Sequence, residues 1–356
     1  MVSTLLPLET WGLFSSGKRP VVISGPCSAE SREGVLGAAR AVSALGVEVF
    51  RAGAWKPRTS PHSFAGFGEE ALPWLVEARA ETGMKVMTEV ASPLHVEAVL
   101  KAGLDAVWIG ARTTTNPFLV QEIAEALRGS DLPVLVKNPM SQEVALWIGA
   151  LERLADVGLK KLGVIHRGFT SCEPSRYRNL PYWQIPISLK QQIAGLPVFC
   201  DPSHIAGDRS YVSEIAHQAS DIGFDGLMIE CHQNPSAALS DASQQITPAE
   251  LGRLLRSLEH RSVSVEDGQM QALLDDYRAR IDRLDADLLQ TLAHRMEISE
   301  QIGLLKKEHQ LSVVQPQRWE KLEERAVKNG ADLGLDADFV RRLFRLIHQA
   351  SIERQF

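Results

Sequence analysis

Short apolar runs alternate with amphipathic stretches from residue 21 to about residue 259. The runs 21–25, 47–51, 85–89, 106–110, 133–137, 161–165, 197–200 and 226–229 are rich in Val, Ile and Leu. Such unbroken apolar character is what a parallel strand buried on both faces requires. Between them, 31–45, 69–82, 93–102, 116–128, 141–157 and 209–221 repeat their apolar positions at helical spacing. Eight strand-then-helix units in roughly 240 residues match the size of a closed (β/α)8 TIM barrel, an α/β fold. A doubly wound open sheet is the competing arrangement, and it is disfavoured because no GxGxxG follows the first run.

Past Glu259 the pattern changes. Residues 260–269 read as a linker, and then Met270, Leu274, Tyr277, Ile281, Leu284, Leu288, Thr291, Arg295, Ile298, Ile302 and Leu305 follow at alternating steps of four and three. This heptad seam predicts one helix of about 40 residues, hence about 60 Å long. The two helical stretches after it, 316–328 and 336–354, are too short to cover the seam, so a second copy of the long helix is expected and the protein should dimerise. The expected organisation is a barrel over 1–259 and an all-α three-helix domain over 270–356.

Composition narrows the function without naming it. The 356 residues carry 38 Lys and Arg against 44 Asp and Glu, a net charge of -6, with no long run of one sign. Nucleic acid and acidic membrane surfaces are therefore not expected partners. No stretch approaches the roughly 18 uncharged residues of a spanning helix, and no cationic segment precedes the short apolar stretch at the N-terminus, so a cytoplasmic protein is expected. The four cysteines, Cys27, Cys172, Cys200 and Cys231, lack CxxC spacing and cannot build a disulfide framework; a special cysteine here is a ligand or a nucleophile.

In this fold chemistry sits where strands end. Six cations stand after successive strands: Arg51, then Lys56 and Arg58 in WKPRTS, Arg112 in GARTT, Lys137 in VKN and Arg167 in HRG. Arg suits bidentate contact with carboxylate or phosphate, and Lys is a compact charge able to move a proton, so substrates with several anionic groups are expected. The remaining strand-end groups are Cys27, Glu89, Asp201, His204 and Glu230, with Asp241 in the loop after the last strand. Cys27, His204, Glu230 and Asp241 come from the first, seventh and eighth units, which are neighbours when a barrel closes. A thiolate, an imidazole and two carboxylates can bind a divalent transition metal, but the mixture does not settle which. The bland reading is a core cysteine, a loop-capping histidine and carboxylates paired with rim arginines.

Taken together, GPCSAES, FRAGAWKPRTSPHSFAGFG, GARTT, VKNP, HRGF, CDPSH and IECHQNPSAALSDASQ resemble the 3-deoxy-D-arabino-heptulosonate 7-phosphate (DAHP) synthase family in its short form, along almost the whole barrel. The resemblance implies condensation of phosphoenolpyruvate with erythrose 4-phosphate. It implies Cys27, His204, Glu230 and Asp241 as ligands of a divalent ion, commonly Mn2+ or Fe2+. Arg112, Lys137 and Arg167 would hold phosphoenolpyruvate with Arg51 and Lys56 beside them, and Lys56, Pro57, Arg58 and Thr59 would receive the aldehyde. Lys137 is the candidate for proton transfer, with Asp201 and Glu89 orienting groups or water. The close alternative is the sister enzyme that makes 3-deoxy-D-manno-octulosonate 8-phosphate from a five-carbon sugar phosphate, with a purely regulatory helical tail; the arginine of KPRTS favours the four-carbon aldehyde. A non-catalytic scaffold is the reading from another class, and the intact ligand set and rim cations argue against it.

On the long helix Arg295 occupies a seam position, where an unpaired guanidinium would be costly to bury. Lys306 lies eleven residues on and so points within about 20° of the same direction. In the last helix Ser351 falls on the Val340, Phe344, Ile347 stripe, with Gln355 one turn beyond. Taken with YRARIDRLDADLLQTLAHRMEISEQIGLLK, these positions resemble the all-helical chorismate mutase family. The residues matching its site are Arg278, supplied by the partner chain, and Arg295, Lys306, Arg318, Ser351 and Gln355, with Arg295, Lys306 and Gln355 as the catalytic candidates. Chorismate is then a third substrate, and chorismate or prephenate the expected feedback inhibitor of the barrel. Two positions depart from the family pattern: Gln315 stands where an acidic residue is usual, and Trp319 where a carboxylate is usual.

Overall fold

A computed structural model describes residues 5–15, 20–58, 60, 62–172, 175–258, 268–313 and 316–356. The chain divides into two compact units, Met1–Val263 and Ser264–Phe356. The first is a closed barrel whose eight strands run in sequence order, every neighbouring pair parallel. The strands are β1 Val21–Gly25, β2 Val49–Arg51, β3 Lys85–Val90, β4 Ala106–Ile109, β5 Val134–Lys137, β6 Leu162–His166, β7 Val198–Cys200 and β8 Gly226–Glu230. All eight expected strands form, each within two residues of its expected start.

Among the described residues ten α-helices accompany them: α1 Arg32–Ser43, α2 Leu72–Thr82, α3 Pro93–Ala102, α4 Ala111–Thr114, α5 Pro117–Leu127, α6 Val144–Asp156, α7 Gln184–Gln192, α8 Pro202–Ala206, α9 Arg209–Asp221 and α10 Pro248–Ser257. Starts are set by side-chain caps, such as Ser31 on Gly34 N–H, Ser92 on His95 N–H and Asn116 on Leu119 N–H.

Two apolar cores result. The larger lies between the strands and the surrounding helices. The smaller fills the barrel lumen with Ile23, Val49, Met87, Trp108, Leu135, Ile165, Phe199 and Met228, to which Leu8, Trp11 and Leu13 add from the N-terminal segment. Polar groups at the C-terminal strand ends therefore stand on a dry, close-packed floor, which limits their motion.

The second unit is helical: α11 Gly268–Glu308, α12 Pro316–Asp332 and α13 Ala337–Glu353. The long helix starts inside the stretch read as a linker, whose residues 260–267 lie outside the described ones. Ile281, Leu284 and Leu288 on it are 55, 66 and 52% exposed, so the heptad seam is bare in a single chain. Among the described residues no helix is long and apolar enough to cross a membrane.

Candidate active sites

The loop after β1, the start of α8, the end of β8 and the loop beyond it bring the four expected ligands to one place. Donor atoms of Cys27, Glu230 and Asp241 lie within 4.8 Å of one another. Cys27 Sγ is 3.4 Å from Asp241 Oδ2. His204 joins from the side, its Nδ1 3.8 Å from Glu230 Oε1 and its Nε2 4.0 Å from Asp241 Oδ2. Local sequence explains the histidine: Asp201 caps α8 by accepting His204 N–H at 3.0 Å, Pro202 starts the turn, and the ring folds back until Nδ1 is 2.8 Å from Asp201 Oδ2. Asp241 sits at φ +45°, a left-handed conformation that Asp tolerates better than most residues.

The electrostatics are those of a buried, strongly coupled cluster. Burial, reinforced by Glu230 and Asp241 and opposed by Lys56, pushes the Cys27 thiol up to about 12. Burial also works against charge on Asp201 and Glu230, yet His204, with Lys137 on the first and Arg51 on the second, holds both carboxyls below their ordinary values. Glu230 Oε1 is buried and accepts no hydrogen bond, although Arg51 Nη2 stands 3.3 Å away. A buried carboxylate oxygen without a donor is costly unless something positive meets it. The donor set and this atom fit a divalent ion.

Five of the six expected cations line one cleft of about 440 Å³, open solvent at its mouth included: Lys56, Arg58, Arg112, Lys137 and Arg167, together with Pro57, Glu89, His204 and Asp241. Arg51 and Asp201 are not among its lining residues and support it from beneath. Arg51 is fully buried, its Nη2 3.1 Å from the Cys27 carbonyl and its guanidinium carbon 4.7 Å from the centre of the Trp108 ring. Lys137 Nζ donates to Asp201 Oδ2 at 2.7 Å. Arg167 Nη1 donates to Asn179 Oδ1 at 2.8 Å, and burial lowers its guanidinium to about 10. Thr59 lies outside the described residues.

A second cavity belongs to the helical unit and is lined by Arg295, Lys306, Arg318, Ser351 and Gln355 among others. Arg295 Nη1 donates to Ser351 Oγ, and Lys306 Nζ to Gln355 Oε1 at 2.9 Å. These bonds answer the cost of a guanidinium on the seam: Arg295 leaves the α11 face for a partner on α13. Arg278 lies outside this cavity, two-thirds exposed and paired with Asp275 at 3.1 Å. Gln315 lies outside the described residues.

Residues 11–266 match the DAHP synthetase I family, and residues 277–356 match chorismate mutase type II. The chain belongs to the DAHP synthetase I family. A phospho-2-dehydro-3-deoxyheptonate aldolase of Thermotoga maritima is 36% identical over 225 residues, 63% of this chain. The chain spans 64% of that enzyme's length. A 2-dehydro-3-deoxyphosphooctonate aldolase of a Synechococcus species is 30% identical over 278 residues, covering 72% of this chain and 94% of that protein. Among solved structures, a Thermotoga maritima DAHP synthase aligns with a TM-score of 0.63 at 29% identity, over 72% of this chain and 76% of that one.

Several polar residues of this DAHP synthetase I barrel escaped the reading of strand ends. Gln244 Nε2 donates to Glu230 Oε2 at 2.7 Å, Gln245 Oε1 accepts Cys27 N–H at 3.0 Å, and Arg178 Nη1 donates to Asp241 Oδ1 at 3.2 Å. Trp108 Nε1 donates to Glu89 Oε2 at 3.2 Å while its ring face carries Arg51. Gly110 is needed for the same carboxylate, because a Cβ there would meet Glu89 Oε1 at 2.0 Å. The doublet Gln244-Gln245 directly after SDAS was the available signal, since adjacent amides beside a proposed ligand are apt to orient it.

Proposed function

We propose that the barrel joins phosphoenolpyruvate to erythrose 4-phosphate, giving DAHP and phosphate, and that the helical unit rearranges chorismate to prephenate. The convergence of Lys56, Arg58, Arg112, Lys137 and Arg167 on one cleft beside His204 and Asp241 carries this reading. Arg112, Lys137 and Arg167 hold phosphoenolpyruvate, with Arg51 fixing the floor beneath. Lys56, Pro57, Arg58 and Thr59 receive the sugar phosphate. Cations fixed on carboxylate and phosphate align the two reactants and stabilise the leaving phosphate.

Cys27, His204, Glu230 and Asp241 hold a divalent ion, Mn2+ or Fe2+ by the resemblance to the DAHP synthase family, since the mixed donors alone do not choose between metals. When bound, such an ion supplies Lewis acidity toward the aldehyde carbonyl that the enol carbon attacks. Lys137 moves the proton, and Asp201, which contacts both Lys137 and His204, keeps the two in register. Glu89 orients water or a substrate hydroxyl at the cleft wall.

In the helical cavity Arg295, Lys306, Arg318, Ser351 and Gln355 grip the chorismate dianion, and Arg278 of a partner subunit completes the site. The bond shift needs no base, only cations and donors that hold the reactive conformer as charge grows on the ether oxygen. The bare α11 seam supports a homodimer. Chorismate or prephenate in this cavity restrains the barrel by favouring one arrangement of the two units, and the soluble phosphorylated substrates put the enzyme in the cytoplasm.

An assay of the full chain for both reactions, before and after chelation, tests this. Chelation should stop the barrel reaction alone, and saturating prephenate should slow it. The barrel should consume erythrose 4-phosphate in preference to arabinose 5-phosphate. The reverse preference favours the octulosonate reading, which the 30% identical Synechococcus relative supports, and with it a helical unit that only senses.

A further inference from the structure

One wall of the helical cavity is built from residues that the anion site does not use. Trp319 of α12 lies flat on His348 of α13, ring centroids 3.9 Å apart and planes 16° from parallel. Both rings line the same cavity as Arg295, Lys306 and Arg318. Trp319 stands where the chorismate mutase pattern has a carboxylate, so this wall has lost an acceptor and gained an aromatic plate with an imidazole behind it.

The charges that face His348 are basic. From α11 come Arg295, Lys306 and His294, from α12 Arg318, and from α13 the neutral Ser351 and Gln355. No Asp or Glu lines the cavity among the described residues. Glu323 accepts from Arg345 Nε at 2.9 Å, and Glu297 lies 3.4 Å from Nδ1 of the cavity residue His294. Burial, with Arg295 and Lys306, holds the His348 imidazole below its ordinary value and so favours the neutral ring.

An entering dianion leaves burial, the largest cause of that depression, in place and acts on the two smaller ones. Its charge offsets Arg295 and Lys306, and the indole face of Trp319 then favours a cation stacked on it. We propose that His348, held flat by Trp319, takes a proton from solvent when a dicarboxylate enters the helical cavity and becomes an additional cationic contact for it, so that ligand binding is proton-linked. This rests on the reading of the cavity as a dianion site and adds the residue that makes its affinity depend on pH.

Calorimetric titration of the full-length protein with prephenate, at pH 6.5 to 8.0 and in phosphate and Tris buffers of different ionisation heat, counts the protons. Wild type should take up a substantial fraction of one proton per site, and its affinity should rise by up to about ten-fold per unit as pH falls through the range where uptake is largest. His348→Gln should still bind prephenate, with no uptake and a Kd that stays level across the range. His348→Lys, a fixed cation, should bind at pH 8.0 more tightly than His348→Gln, again without uptake, whereas His217→Gln, on the barrel helix α9, should behave as wild type. Wild-type binding without proton uptake, or uptake retained in His348→Gln, overturns the proposal. Absence of prephenate binding in every variant at every pH overturns the dianion reading itself, and the proposal with it.

Discussion

Lys56 Nζ lies 3.0 Å from Cys27 Sγ and 3.1 Å from the Cys27 carbonyl, with both residues buried. An ammonium held this close favours the thiolate, the form of cysteine that binds metal. Lys56 thus stands between two roles, the cleft wall on one side and the proposed ligand on the other. Lys56→Met should weaken Mn2+ binding by about ten-fold or more, corresponding to roughly 1.4 kcal/mol, and lower turnover further. Competition with a chromophoric chelator measures the first effect, and an unchanged Mn2+ affinity would assign Lys56 to the sugar phosphate alone.

The Lys137 to Asp201 ion pair is buried on both sides, and Asp201 keeps a second partner in His204. Removing the lysine therefore leaves the carboxylate with His204 Nδ1 at 2.8 Å and the ligand cluster in place. Lys137→Met should retain Mn2+ while turnover falls by roughly 10²- to 10⁴-fold, the range for a lost proton-transfer group. Near-normal turnover in metal-loaded Lys137→Met would remove the residue from the chemistry.

Ile281, Leu284 and Leu288 present an apolar row that stays more than half exposed among the described residues of a single chain. Leu284→Asp places a charge in the middle of that row. Light scattering should give a dimeric mass for wild type and a lower one for the variant, with mutase activity falling in parallel because Arg278 would no longer reach its site. A variant of wild-type mass would show that the assembly is held by another surface.

His166, on β6, is fully buried among the rings of Phe169, Trp183 and Phe224, and burial lowers its imidazole to about 3. In the unfolded chain it titrates near 6.5. The unfolded state then binds the extra proton first as the solution is acidified. The contribution of His166 to stability is complete above about pH 6.5 and declines toward pH 3, with a limiting slope of about 1.4 kcal/mol per pH unit. Thermal melts across pH 4.5 to 7.5 should show a shallower acid loss in His166→Leu; identical slopes would mean that the ring is already protonated or hydrated in the fold.

Strand positions were legible because a parallel strand buried on both faces must be apolar throughout, and eight such runs leave little choice of architecture. The short helices α4 and α8 were not foreseen, since four or five residues show no periodicity. α10 was missed although Thr247 and Glu250 spell a capping box, which the structure forms in full. The four expected ligands were readable as residues of the right chemistry at or just past strand ends and as what the family resemblance implies, but their separation in sequence hid Gln244, Gln245 and Arg178, which orient them.

The order of apolar runs by itself determined a closed eight-stranded barrel followed by a helical unit with an uncovered seam, because solvent exclusion acts on each segment through its own local pattern. Tertiary structure alone decided that Lys56 sits against Cys27, that Arg51 withdraws beneath the cleft onto Trp108, and that Trp319 lies flat on His348 in one wall of the helical cavity. Those pairings join residues 29, 57 and 29 positions apart on separate elements. Their geometry follows from how barrel closure and helix packing bring elements together, which no local pattern along the chain encodes.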